Sequence, residues 1–335
     1  MLMTVNRASD NFFVRDIRKI EAGTAIERIH FLDDTAVFVL GNGDILLEPE
    51  SGESRRLSLF EGALLSSDAC RTAVVAGGDD GNVVRLTSDG EQKIIAADEK
   101  RRWIDHVAID DDGAVAWSAA KDVVLREPDG SIKSVELQST VGGLALSVRH
   151  LGIAHYGGVT LLPRDGDGAQ NTLAFEGMHT GISFHPDHDF VVTRMRDPVL
   201  HGWCLRESGE HAMEGYAGPV RSISWSAQGH WLASSGARYL ALWPIRQPRN
   251  PISNVPFLLA GYRAMSTAVA CHPKQNVVAV GYADGAVLMI RIEDEAEILL
   301  KNPAGSPVSA LTWGETGAEL AIGCVDGTGR VIYFS

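Results

Sequence analysis

Hydrophobic and polar residues alternate along this chain in short runs that are separated by turn residues. Residues 305–334 show the pattern most clearly, with an apolar run up to Trp313, a turn at Glu315–Gly317, a second run at Leu320–Gly323 and a third after Asp326-Gly327. Alternation with period two is typical of half-buried strands, and an Asp-Gly pair between two such runs is typical of a tight hairpin. The stretch therefore predicts three antiparallel strands joined by two turns.

The same phrase occurs along the whole chain. Its copies start near residues 25, 63, 104, 141, 181, 220, 267 and 308, and each copy except the last contains four apolar runs. A period of roughly 40 residues with four strands per copy is the pattern of a β-propeller blade. We therefore expect an all-β protein in which residues 1–335 form a single propeller domain.

The two ends of the pattern complement each other. Residues 12–20 read as one strand without a hairpin partner, and the last copy lacks its fourth strand. We expect residues 12–20 to complete the last blade, because this pairing closes the ring and covers an exposed strand edge. The count predicts eight blades, with seven as the alternative if copy two or copy four is misread.

Several turn and strand segments of the copies share a recurring pattern. They are Phe184-His185-Pro186-Asp187, Cys271-His272-Pro273, the Asp-Gly pairs at 80–81, 284–285 and 326–327, and the third-strand residues Trp203 and Trp243. Through these residues the chain resembles the WD-repeat β-propeller family over nearly its whole length. The resemblance implies blades of four antiparallel strands and a role in binding other proteins.

The chain departs from the family pattern at several positions. It has no Gly-His and no Trp-Asp dipeptide, since Cys204 follows Trp203 and Pro244 follows Trp243. Tyr216 stands where the sixth copy of the family pattern has its His. We therefore expect the His–Ser–Asp–Trp hydrogen-bond tetrads of the family to be mostly absent, with apolar packing in their place.

The amino-acid composition of the chain limits the kinds of partner and the cellular location that we expect. The formal net charge is −13, which disfavours nucleic acid, because broad nucleic-acid binding rests on neutralising phosphates with Lys and Arg. The four cysteines are far apart in sequence, so we expect buried thiols and no disulfide framework. The sequence shows no signal-peptide pattern and no run of apolar residues long enough to span a membrane. We expect a cytoplasmic protein with no membrane partner.

The resemblance also implies which loops share a face. In the family, the loops that enter the first strand and those between the second and third strands form the top face. Here these loops carry Arg and aromatic residues, which are enriched in binding hot spots, whereas the opposite loops carry mostly Asp and Glu. The predicted partner-binding residues are Arg102, Trp103, Tyr156, Arg194, Arg196, Tyr216, Arg238, Tyr262, Arg263 and Tyr282.

Such a face suits an acidic, extended segment of another protein. The alternative is a scatter of surface arginines with tyrosines half-buried between blades. We interpret the chain as a non-catalytic interaction scaffold that needs no cofactor. Two other functions stay open, namely a small-molecule or metal-dependent enzyme with its site in the channel, and a structural subunit of a larger complex.

Catalytic and metal-binding patterns are weak. The chain contains no G-x-S-x-G elbow, no phosphate-binding glycine loop and no HExxH motif. His185 and His188 flank Asp187 with a spacing that could hold zinc or nickel, but the segment occupies an ordinary turn position of the repeat. We therefore predict no catalytic residues and no metal site.

Overall fold

The structure is a computed structural model that describes residues 12–166, 168–206, 209–245 and 255–335. Within these ranges every helix-or-strand element is a β-strand. No helix in them is long and apolar enough to cross a membrane. The predicted all-β fold is therefore confirmed.

The chain enters the fold through β1 (Val14–Glu21), and the next three repeats each form an antiparallel sheet of four consecutive strands. Repeat one forms β2 (Ile26–Leu32), β3 (Thr35–Leu40), β4 (Asp44–Pro49) and β5 (Arg55–Ser58). Repeat two forms β6 (Leu64–Ala69), β7 (Val74–Gly78), β8 (Asn82–Leu86) and β9 (Gln92–Ala97). Repeat three forms β10 (His106–Ile109), β11 (Val115–Ala119), β12 (Asp122–Arg126) and β13 (Ile132–Glu136).

The second half of the chain begins with one larger sheet and ends with three sheets of four strands. The larger sheet contains β14 (Val141–Leu146), β15 (His150–Pro163), β16 (Asn171–Phe184), β17 (Phe190–Met195), β18 (Leu200–Cys204) and β19 (Gly209–Met213). Repeat six forms β20 (Ile223–Trp225), β21 (Trp231–Ser234), β22 (Leu240–Pro244) and β23 (Phe257–Leu259). Repeat seven forms β24 (Ser266–Cys271), β25 (Val277–Tyr282), β26 (Val287–Arg291) and β27 (Glu297–Lys301). The closing sheet contains β28 (Val308–Trp313), β29 (Glu319–Cys324), β30 (Thr328–Phe334) and β1.

The described strands thus form seven hydrogen-bonded sheets. Repeats four and five share the six-stranded sheet because β15 and β16 run on without a break. Each is 14 residues long and pairs with one strand along its first half and with another along its second half. Within β15, Ile153 pairs with Leu144 of β14 and Val159 pairs with Leu173 of β16, on either side of Gly157 at φ +90°. The count of seven sheets matches the alternative of seven, and the expectation of eight separate four-stranded sheets is wrong. The six-stranded sheet contributes two inner strands to the ring, one from repeat four and one from repeat five.

The first strand of each repeat lies at the centre of the molecule and packs against the first strand of the next. In order around the ring these inner strands are β2, β6, β10, β14, the second half of β16, β20, β24 and β28, which returns to β2. Polar side chains link them, since Thr267 Oγ1 donates to the carbonyl of Val308 at 2.6 Å and Thr312 Oγ1 donates to that of Ile29 at 2.8 Å. These bonds satisfy backbone groups that the inner edge of each sheet leaves unpaired.

The ring closes through β1, which pairs antiparallel with β30 from Val14 opposite Phe334 to Glu21 opposite Thr328. The predicted closing strand is thereby confirmed, within two residues of its expected bounds. Arg18 fixes β1 to the repeat-one sheet as well: its guanidinium donates to Glu48 Oε1 at 2.7 Å and to the carbonyl of Glu50 at 2.9 Å. The Glu48 side chain is 3% exposed, so Arg18 neutralises a buried carboxylate.

Variants of the tetrad appear in two places. Trp243 Nε1 donates to the hydroxyl of Tyr216 at 2.7 Å, and Tyr216 shares a 2.7 Å bond with Ser234 Oγ. In repeat five, His179 Nδ1 lies 2.7 Å from Thr193 Oγ1. Tyr216 therefore takes the structural place of the missing His, and short polar links of this kind supplement apolar packing in these two repeats.

Arg18→Ala is expected to lower the free energy of unfolding by about 2 kcal/mol, because it leaves the Glu48 carboxylate buried without its cation. Arg15→Ala is the matched control on the same strand. Arg15 also pairs with a glutamate, Glu50, but its side chain is 53% exposed, so the control should cost about 0.5 kcal/mol or less. Equilibrium denaturation in urea measures both. Equal losses for the two variants would contradict the role assigned to Arg18.

Candidate partner-binding face

Backbone hydrogen bonds bring the predicted top loops together on one face. The amide of Tyr262 donates to the carbonyl of Arg238 at 2.7 Å, and the amide of Ala283 donates to that of Met265 at 2.8 Å. In each case a loop that enters a first strand contacts a turn between second and third strands. The loops that carry Arg238, Tyr262 and Arg263 therefore lie on the same face, which we call the top face.

Four of the predicted residues project into solvent. Trp103 is 63% exposed and Tyr156 is 56% exposed. Arg196 and Arg238 are exposed as well, and neither side chain forms an ion pair with a described residue. These four side chains offer two free guanidinium groups and two aromatic rings to a partner.

Two other predicted arginines are already paired. Arg102 binds the carboxylates of Asp98 and Asp122, and the hydrogen bonds that its guanidinium donates to these two acids raise the pKa of Arg102. Arg263 pairs with Asp284 at 3.1 Å while its guanidinium lies over the ring of Tyr262. A partner that uses either arginine has to compete with these acids.

The predicted site needs correction at Tyr282 and Tyr216, because the structure places both side chains in packing positions within the fold. Tyr282 is fully buried, and its hydroxyl donates to the carbonyl of Ala260 at 3.0 Å. Tyr216 is held by Trp243 and Ser234, and burial raises the pKa of its phenol to about 12. The Tyr282 ring therefore presents no surface to a partner, and the half-buried Tyr216 ring is engaged in packing and hydrogen bonding within its repeat. Tyr262 is half-buried against Tyr282, with ring centroids 4.3 Å apart.

Arg194 does not project outward from the top face. It lies on β17 beside Gly181, where an added Cβ would come within 2.4 Å of Nη2 of Arg194. Its guanidinium donates to the carbonyl of Arg221 at the start of the next inner strand. The residue thus lies at the upper end of the channel that the inner strands surround.

Sequence reasoning missed Arg28 and Arg221. Both are exposed side chains at the beginning of inner strands. A systematic search for charged residues at the start of each repeat would have found them. Arg28 donates to the carbonyl of Ser67 on the neighbouring inner strand at 3.1 Å.

Arginines that the sequence did not single out form ion pairs with carboxylates on the opposite face and partly neutralise them. Asp189 binds both Arg149 and Arg206. Arg164, whose side chain is 7% exposed, binds Asp110 and Glu127. The acidic character of this face is therefore smaller than the sequence indicates.

The histidines of the predicted turn segments link neighbouring sheets. His185 Nδ1 accepts a bond from the amide of Asp187, so Nε2 carries the proton and donates to the carbonyl of Gly229 at 2.9 Å. His272 makes the same link to Gly317 at 3.1 Å. Both ring nitrogens of His185 are thus engaged in backbone contacts. Among the described residues no group of three or more His, Cys, Asp or Glu side chains is placed to hold a metal ion.

Comparisons with known proteins fit this architecture. The WD domain, G-beta repeat model matches residues 207–243. Pre-mRNA-processing factor 19 of Oryza sativa subsp. japonica is 26% identical over 158 residues, which is 46% of this chain and 29% of the relative. Pre-mRNA-processing factor 19 homolog 2 of Arabidopsis thaliana is 32% identical over 73 residues, or 22% of this chain and 14% of the relative. The chain thus spans less than a third of either relative.

A solved structure shares the fold over almost the whole chain. The computationally designed Ika8 protein superposes with a TM-score of 0.75, at 20% identity, over 93% of this chain and 96% of that one. At this identity the likeness concerns the fold alone.

Acidification from pH 7 to pH 5 is expected to destabilise the protein. Desolvation lowers the pKa of His30 to about 3 and that of His201 to about 4. Below about pH 6.5 the unfolded chain binds protons that the folded chain does not. Stability is therefore complete above that pH and is lost as the pH falls, by about 2 kcal/mol at pH 5 for each of these two histidines.

Urea denaturation at several pH values measures this loss. His30→Gln should reduce the slope of stability against pH below pH 6.5, because it removes one of the two groups. A slope unchanged by this variant would contradict the assignment to His30.

Proposed function

Because the chain is a WD-repeat β-propeller, we propose that it acts as a non-catalytic scaffold that binds another protein on its top face. This proposal rests on four exposed side chains of the top face. They are the guanidinium groups of Arg196 and Arg238, which form no ion pair with a described residue, and the rings of Trp103 and Tyr156. Arg and aromatic side chains combine contact area with directed hydrogen bonds. Such residues are the ones that anchor protein partners.

We propose that the partner presents an acidic, extended segment. Arg238 and Arg196 are exposed cations without an ion pair to a described residue, in a chain whose formal net charge is −13. A carboxylate that arrives there gains charge-assisted hydrogen bonds to guanidinium groups. An extended segment suits a ring of loops because it can contact several of them at once.

The polar groups of the inner strands support the non-catalytic interpretation. His106 lies 3.2 Å from the carbonyl of Val141, and Ser66 Oγ donates to the carbonyl of Ile104. These side chains bind backbone groups of the adjacent inner strand, so they serve the ring and are not arranged as a nucleophile with its base. We keep the cytoplasm as the proposed compartment.

One observation favours a second candidate, a structural subunit of a larger assembly. The outer strands of repeats six and seven expose apolar side chains, with Phe257 at 54%, Leu258 at 53% and Leu299 at 50%. Outer strands are sheet edges, where exposed apolar residues are unusual unless they are covered. Loss of partner binding on replacing these residues, with the top-face variants unaffected, would favour this candidate.

Arg196→Ala and Arg238→Ala are expected to weaken binding of the cellular partner about thirtyfold each, which corresponds to about 2 kcal/mol at a hot spot. The partner is first captured on the purified protein from the native cell and identified by mass spectrometry. Calorimetric titration of the variants against it then measures affinity. Neither change removes core packing, so stability should stay within about 0.5 kcal/mol of the parent.

Arg71→Ala is the matched control, because Arg71 is an exposed arginine on a turn of the opposite face. It should bind the partner like the parent protein. Loss of binding in Arg71→Ala with retention in the two top-face variants would reverse the face assignment and leave the propeller fold untouched.

A further inference from the structure

A cavity lies at the end of the central channel that is opposite to the top face. Its volume is about 430 Å³, which is within the range of sites that hold small ligands. Four inner strands that follow one another around the ring, β28, β2, β6 and β10, lead into it. Each of them contributes side chains from its last residues or from the turn that follows it. The cavity is therefore built by four different repeats.

Carboxylates from three repeats line this cavity: Asp33 of repeat one, Asp111 of repeat three and Glu315 of repeat eight. All three side chains are exposed. Within the described parts of the chain, Asp33 and Glu315 accept no hydrogen bond and form no ion pair. Asp111 accepts one bond at its Oδ1, from the backbone amide of Arg71 at 2.9 Å. Most of the acceptor capacity of these carboxylates is therefore unused.

The basic side chains at the cavity do not offset these charges. Arg71 is the one cation among the described lining residues, and its guanidinium forms no ion pair with a described acid. His30, whose Nε2 lies 3.0 Å from Ser67 Oγ, also lines the cavity. His30 is neutral at pH 7, because desolvation and the positive charge of Arg28 lower its pKa to about 3. The lining therefore has an excess of negative charge, in a chain whose formal net charge is −13, and it attracts cations.

Apolar side chains line the same cavity deeper in the channel. Phe31, Ala69 and Trp313 are the lining residues that lie on the inner strands themselves, whereas the carboxylates lie on the turns that follow these strands. Phe31 and Ala69 are half-buried, and Trp313 is buried. The indole is fixed in place, because its Nε1 donates to the carbonyl of Ala270 at 3.1 Å. The cavity thus combines a rigid apolar floor with a negatively charged mouth.

We propose that this cavity, which we call the lower channel site, binds a small organic amine with an apolar body and one ammonium group. The apolar body rests on the floor, and the ammonium group donates to carboxylates at the mouth. Among the described residues these carboxylates form no group placed to hold a metal ion, so a larger cation fits better. A lysine of a partner protein has its charge at the tip and would bring the ammonium group to the apolar floor first. The site lies opposite to the top face, so the inference does not depend on the proposed function.

Calorimetric titration of the full chain with phenethylamine, which is a cation at pH 7, tests the proposal. Two further probes each lack one half of this ligand: 2-phenylethanol has the apolar body without the charge, and methylammonium has the charge without the body. Each should bind about tenfold more weakly or worse, because the site needs both parts. A blocked peptide, acetyl-Gly-Lys-Gly-amide, is titrated in parallel. Tighter binding of this peptide than of phenethylamine would overturn the assignment to a free amine.

Variants of the lining residues locate the bound amine. Asp111→Asn and Glu315→Gln each remove one charge and keep the shape of the side chain, so each should weaken binding of phenethylamine about fivefold. Arg71→Ala should strengthen binding about twofold, because it removes a like charge. Asp112→Asn is the matched control, since Asp112 is exposed next to Asp111 but does not line the cavity. It should bind phenethylamine like the parent protein.

A parent protein that does not bind phenethylamine would overturn the lower channel site. Equal weakening by Asp111→Asn and Asp112→Asn would overturn it too, because that result means a diffuse attraction of cations to an acidic surface. All four variants should melt like the parent, since none removes core packing. Failure of this site leaves the proposed function untouched, because the cellular partner should bind Asp111→Asn and the parent protein equally well.

Discussion

Every sheet of this protein presents an unpaired inner edge to the channel, and the structure depends on how those edges are satisfied. Among the strands that the structure describes, no backbone ladder joins one inner strand to the next. Hydroxyl groups bridge the gap instead, as Thr312 does to Ile29 and Thr267 does to Val308. Farther out, His185 and His272 tie sheets together through turn glycines. The ring is thus held by short polar links at its inner edge and by apolar packing between sheets, and each sheet depends on its two neighbours.

This dependence explains why polar residues in the channel are poor guides to catalysis. Ser66 and His106 carry the functional groups of a catalytic site. The side chain of each is hydrogen-bonded to a backbone carbonyl of the next repeat instead. Arg28 and Arg194 differ, because within the described parts of the chain each guanidinium donates only one hydrogen bond. Unused hydrogen-bonding capacity, and not residue type, separates the groups that hold the ring from those that are available to a ligand.

Local sequence signals predicted most of the fold. Gly81, Gly285 and Gly327 adopt positive φ angles of 85° to 88° at the expected Asp-Gly turns, because only glycine enters that region without strain. The missing strand of the last repeat correctly predicted the pairing of β1 with β30. The shared sheet was not predictable, since the bend at Gly157 looks like any other hairpin. The site was predicted only in part: burial of Tyr282 and the reach of Arg194 across Gly181 depend on contacts between segments that sequence periodicity does not encode.

Pairing between β1 and β30 also has a consequence for biosynthesis. A ribosome makes residues 14–21 before the other described strands of the ring, and their partner, residues 328–334, is the last of these strands to be made. The edge of β1 that pairs with β30 therefore stays unpaired while the rest of the ring is translated. Its charged residues, which include Arg15, Asp16, Arg18, Lys19 and Glu21, disfavour pairing with strands of other chains during that interval. The same charges that fasten the finished ring thus act earlier as protection for a nascent chain.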